Sequence, residues 1–211
     1  MKSAFYLLVI LFFGITFQSC EKILGGSKLG GTVSPMGETG TTYSSTFAEV
    51  AGVSNFEATV VSVEDNVSTF SGSATCTNAN IKSILANAPQ VTISGDQVTA
   101  TNIKFKSTSE GIESVAGLDP GIIVKYDAKV GDTYTVTGTN KKRTVISRST
   151  DDDYPYGFYL IKAIEVEENT NSLGVKKITY WANHKFGLVG IEFQFDDGST
   201  AKFPVYCSTN N

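Results

Sequence analysis

The chain has 211 residues, with 17 Lys and Arg against 21 Asp and Glu, one His and three Cys, giving a formal charge of −4. Charges of both signs are scattered rather than drawn into the basic stripe that a nucleic-acid partner requires. Glycine, threonine, serine and valine are abundant and long helical patterns nearly absent, which predicts a mainly β chain.

The N-terminus opens with Lys2 and an apolar run from Ala4 to Phe13, followed by Gly14-Ile15-Thr16-Phe17-Gln18-Ser19-Cys20. The run is short of the about 20 residues that a membrane span needs, and a glycine-rich stretch follows it instead of a basic stop-transfer flank. A positive residue, a short apolar region and a small residue before the boundary read as an export signal. The segment resembles the signal peptide of bacterial lipoproteins, in the looser form with Ser before Cys and Glu-Lys after it that is familiar in Bacteroidota. That resemblance implies cleavage before Cys20 and acyl chains carried on its thiol through a thioether-linked group and on its amino group through an amide. Several acyl chains, each methylene contributing about 0.8 kcal/mol, make such an anchor stable. Residues 1–19 are thus expected to be a signal peptide, and the address is the cell envelope, at the outer membrane, held by lipid at Cys20.

Residues 20–40 hold six glycines in low-complexity sequence and are expected to form a flexible tether, leaving residues 41–211 as a single β-rich domain. The glycines do not make a phosphate loop, since no strand precedes them and no helix follows. With Cys20 assigned to lipid, Cys76 and Cys207 remain in a chain bound for an oxidising compartment. They are expected to pair as a disulfide, with two free buried thiols as the alternative.

Alternation from Phe56 to Val63, a turn at Glu64-Asp65-Asn66 and a second run from Val67 to Cys76 predict a hairpin. Ile81, Ile84, Leu85 and Ala88 recur at helical spacing, with Asn78 or Asn80 as cap and Pro89 as terminator, so one short helix should lie with its apolar stripe on a sheet. Strands follow at Val91–Ile93, Val98–Phe105 and Ile112–Val115, and again from Ile122 to Val130, Thr133 to Val136 and Thr144 to Ser147. The cluster Lys141-Lys142-Arg143 is placed in a turn. Phe158 to Val166, apolar on both faces in its first half, reads as a long central strand. Val175–Trp181 and Val189–Phe195 come next, and the Asp197-Gly198 hairpin signal returns the chain through Ala201, Phe203 and Val205. The fold class is therefore mainly β: a curved antiparallel meander of nine to eleven strands, as a half-barrel or sandwich, with one short helix.

Lys129-Val130-Gly131-Asp132-Thr133-Tyr134 and the segment Tyr180-Trp181-Ala182-Asn183-His184-Lys185-Phe186-Gly187-Leu188-Val189 resemble paired features of uncharacterised secreted bacterial β proteins. The resemblance implies a curved antiparallel sheet, like the half-barrels of lipoprotein carriers, and no activity.

No nucleophile or metal motif occurs, and His184, in a turn, has no orienting partner at recognisable spacing. Asp151-Asp152-Asp153 lacks the alternate spacing of a calcium loop, so a solvated loop is expected there. No metal or cofactor is expected, and no enzymatic activity. The candidate binding surface is aromatic: Tyr154, Tyr156 and Tyr159 with Trp181 and Phe186, able to stack on sugars or meet a partner. A non-enzymatic envelope module contacting a protein, glycan or lipid ranks first. A carrier of apolar molecules in a half-barrel cavity is the alternative, and a large apolar pocket would favour it over a filled core.

Overall fold

The computed structural model describes residues 29–45, 49–116 and 119–209. The expected signal peptide, Cys20 and the tether as far as residue 28 lie outside the described residues. The chain is mainly β and forms a strongly curled antiparallel half-barrel sheet with one helix.

Strand β1 (Thr42–Ser44) leads into the long hairpin of β2 (Val53–Glu64) and β3 (Val67–Cys76). The helix α1 (Ala79–Leu85) starts at Asn78, whose side-chain oxygen accepts from the amides of Asn80 and Ile81, as the sequence predicts. Strands β4 (Val91–Ser94), β5 (Gln97–Thr108), β6 (Gly111–Ala116) and β7 (Gly121–Lys125) complete the first sheet. Its order is β16 (Tyr206–Ser208), β1, β2, β3, β5, β6, β7, with β4 beside β5. The second sheet contains β8 (Thr133–Thr135), β9 (Lys142–Arg148), β12 (Ile164–Ser172), β13 (Val175–Asn183), β14 (Gly187–Phe195) and β15 (Thr200–Pro204). Between β9 and β12 the chain makes a separate hairpin, β10 (Tyr154–Tyr156) and β11 (Tyr159–Ile161). The two sheets meet at both margins. β15 passes through Val205 directly into β16 (Tyr206–Ser208) of the first sheet, and at the other margin the Thr137 amide donates to Pro120 O at 2.7 Å.

Bulges interrupt several strand pairs of the first sheet, and two of them fall at asparagines. Asn55 in β2 and Asn102 in β5 take positive φ, 52° and 57°, and the register of each strand shifts around them. Asparagine tolerates this conformation better than most residues, and a bulge bends the strand and increases its twist. It also changes which side chains face inward. On β5 the inward set runs Val98 and Ala100 before the bulge and Ile103, Phe105 and Ser107 after it.

Four expectations need correction. The tether ends before residue 40, because from Leu29 onward the chain is packed: Leu29 and Met36 are 2% and 4% exposed. The Leu29 amide donates to the Glu113 carboxylate at 3.1 Å, and Ser34 joins Ser107 through backbone and hydroxyl contacts. Glycine-rich composition signalled coil, but backbone amides docked on the β5–β6 turn need no apolar pattern. Second, Cys76 and Cys207 are free thiols. Cys207 is level with Tyr43, Ala58 and Gly72 across three strand spacings, and Cys76 lies four residues further along β3. Spacings of about 4.8 Å across and 3.3 Å along put the two Cα atoms roughly 20 Å apart, against a limit of about 7 Å for a disulfide.

Third, Phe158 to Val166 is not one central strand. Tyr156-Gly157-Phe158-Tyr159 turns back on itself, with Gly157 at φ 60°, and the apolar residues divide between a hairpin tip and the start of β12. Fourth, Arg143 is not in a solvated turn but on β9, 1% exposed, with its Nε donating to Glu168 Oε2 at 2.8 Å. Its other nitrogens donate to the carbonyls of Asp119, Gly121 and Ile122, tying the second sheet to the end of β7.

Candidate functional site

The curled first sheet encloses a cavity of about 390 Å³ against β14, β15 and the helix. A row of small residues creates the space. Ala58 pairs with Gly72 and Gly72 with Ala100, so three adjacent strands present almost no side chain at one level. Larger residues stand on either side of that row, with Phe70, Ile103 and Phe105 toward one end and Phe56, Val98 and Leu85 toward the other. Leu188, Ile191, Phe193 and Phe203 form the facing wall.

The middle of the row, Gly72, cannot take a side chain. A Cβ on Gly72 would come within 2.7 Å of Glu57 O and 2.9 Å of the Ala58 Cβ, so β2 and β3 lie too close for a side chain there. Phe56, Phe70, Phe105, Leu188, Ile191, Phe193 and Phe203 are only half-buried, although the pattern of their strands points them inward. A filled core would bring such residues near zero exposure.

Among the described residues the wall carries no charged side chain. Of its few polar groups, the Tyr43 hydroxyl donates to Met36 O at 2.6 Å and Ser107 is joined to Ser34, so both serve the N-terminal segment. Burial pushes the Tyr43 phenol well above its ordinary value and raises the neighbouring Cys207 thiol. The Ser45 hydroxyl at this wall is buried without a hydrogen-bond partner but is neutral, so an ion moved there would lose its hydration with no opposite charge to compensate.

Four of the five aromatic residues proposed from sequence come together elsewhere, and they do so by packing on one another. Tyr154 stacks on Trp181 with centroids 5.9 Å apart, and Tyr156 packs on Phe186 at 4.8 Å and on Tyr206 at 5.3 Å. Tyr154 lies over Gly190, where any Cβ would collide with its hydroxyl, and burial pushes its pKa up to about 12. The outer face of Trp181 is covered by Lys202, whose Nζ is 3.8 Å from the ring centroid. Tyr159 stands apart, 73% exposed. These rings seat the β10–β11 hairpin rather than forming an open stacking platform.

His184 is exposed in the turn after β13, where the Asn183 side chain accepts from the Lys185 and Phe186 amides. Asp151, Asp152 and Asp153 are exposed, and Asp153 accepts from Ser149. Among the described residues no group of three metal-ligating side chains converges. The cavity itself was missed by residue from sequence, since Ala58, Gly72 and Ala100 become a row only through a register that the two bulges set.

No family model, curated protein or solved structure matches the chain.

Proposed function

We propose that the protein is a lipid-anchored envelope component that holds one neutral, apolar molecule of acyl-chain dimensions in the half-barrel cavity. The observation that carries this reading is the uncharged cavity of about 390 Å³, walled by half-exposed aromatic and aliphatic side chains from both sheets. Of the two classes weighed from sequence, the cavity favours the carrier over the interaction module. A water-sized group occupies about 30 Å³, so the space suits a ligand of about a dozen heavy atoms. At about 0.8 kcal/mol for each buried methylene, ten methylenes supply about 8 kcal/mol before the costs of ordering. The glycan reading has less support, because the aromatic rings on which it relied are engaged with one another.

Ala100→Phe places a ring in the row of small residues and leaves the outer surface unchanged. The expected result is at least tenfold weaker binding of a fluorescent, uncharged fatty-acyl ester probe, with the unfolding midpoint held or raised. Native mass spectrometry of the purified protein should show a bound apolar adduct that the variant lacks. Equal probe affinity in the two proteins would remove the cavity from the function.

A further inference from the structure

The β10–β11 hairpin carries three consecutive large apolar side chains at its tip: Phe158, Tyr159 and Leu160 are 103%, 73% and 58% exposed. Of the other exposed large hydrophobic residues described, Val130, Ile146 and Leu173 stand alone, and Val61 and Val63 are two small side chains near the end of β2. Single exposed apolar residues are ordinary, whereas a contiguous group marks a contact.

The tip stands on a rigid base. Tyr156 and Ile161, immediately behind it, are 8% and 7% exposed and pack with Val189 under the rings of Phe186 and Tyr206. The Tyr156 hydroxyl accepts from the Cys207 amide at 3.2 Å, and Asn183 Nδ2 donates to Lys162 O at 2.6 Å, so both strands of the hairpin are tied to the barrel. An exposed apolar tip on an ordered base keeps its exposure, because it has no freedom to fold down onto the body.

The same region receives the N-terminal segment. Met36 packs beside Gly187, the residue after Phe186, and its carbonyl accepts from Tyr43, whose strand partner is Cys207. The packed N-terminal segment that holds Met36 and the base of the hairpin therefore share one end of the molecule. Cys20 precedes the first packed residue, Leu29, by nine positions, which reach at most about 30 Å when extended.

We propose that Phe158, Tyr159 and Leu160 insert into the lipid interface and give the anchored domain a second, orienting contact with the bilayer. The proposal rests on the lipid-anchored reading but not on the cavity ligand. Phe and Leu supply the apolar surface and Tyr the amphipathic ring that suits the headgroup level. Lys162 and Lys185 are exposed near the base, as are Asp151, Asp152 and Asp153, so apolar insertion and not charge carries the contact. Tyr206 of the hairpin base follows Val205, which lines the cavity, so this contact would set how the cavity wall faces the bilayer.

The test uses full-length acylated protein reconstituted into phosphatidylcholine vesicles. Tyr159→Trp and Val130→Trp each add one tryptophan at an exposed site, with Trp181 as the common background. Brominated acyl chains should quench the added emission of the Tyr159 variant several-fold more than that of the Val130 variant. Equal quenching overturns the insertion, as does failure of the protein to float with the vesicles, which would also remove the anchor. Failure of the protein to bind the acyl-ester probe, with the quenching difference intact, would remove only the cavity reading.

Discussion

Arg143 and Glu168 are the largest fully buried side chains of the described residues, and they are a pair of charges. Burial pushes the Glu168 carboxyl above its ordinary 4.5, and the guanidinium 2.8 Å away draws it back only in part. A carboxyl whose folded pKa is raised favours folding most when protonated. Its contribution is therefore present below 4.5 and is lost as pH rises through the raised value. Relative to Glu168→Gln, the native protein should lose stability as pH climbs through that window, which urea unfolding at several pH values will reveal. A constant difference between the two proteins would place the cause elsewhere. Arg143→Met should cost about 3 to 5 kcal/mol, since it leaves a buried carboxylate unpaired. Adding Glu168→Leu should restore only part, because the carbonyls of Asp119, Gly121 and Ile122 still lack their donor.

At the scale of elements, legibility in sequence followed periodicity. The helix was readable because Asn78 caps it and Ile81, Ile84 and Leu85 share a face, all local facts. The β2–β3 hairpin and the β14–β15 return were readable for the same reason. The β10–β11 hairpin was not, because an apolar run from Phe158 to Ala163 has the same composition whether it is buried on two faces or projects into solvent. Gly157 was the available signal for the turn. The bulges were hidden as well: Asn55 and Asn102 look like polar positions in an alternating strand, yet each reverses the inward face beyond it. Asn102→Gly should therefore be tolerated, while Asn102→Val should cost about 1 to 2 kcal/mol for the positive φ. The Val variant should also bind the acyl-ester probe more weakly, because Ile103 and Phe105 reach the cavity only through the bulge. Chemical denaturation and probe titration on the same samples separate the two effects. A Val variant as stable as the Gly variant would deny that the backbone conformation matters.

For the whole molecule, the boundary of the folded unit is the property that composition misplaced. Glycines at 25, 26, 30, 31 and 37 suggest a tether, but the segment from Leu29 is built into the barrel end by apolar burial and by amides donating to Glu110 and Glu113. Ser68 donates to Gly37 O at 2.6 Å, Gly40 donates to Val60 O at 2.8 Å, and Met36 closes against Tyr43 and Gly187. Burying side chains such as Leu29 and Met36 contributes about 1.5 to 3 kcal/mol each, so the segment is a large fraction of the stability expected of one domain. Two shortened chains make the distinction. One starting at Leu29 should unfold at the same denaturant midpoint as a chain starting at Cys20. One starting at Thr41 should be less stable by at least about 3 kcal/mol, and should bind an environment-sensitive apolar dye more strongly through its exposed barrel end. Equal midpoints for the two shortened chains would return residues 29–40 to the tether.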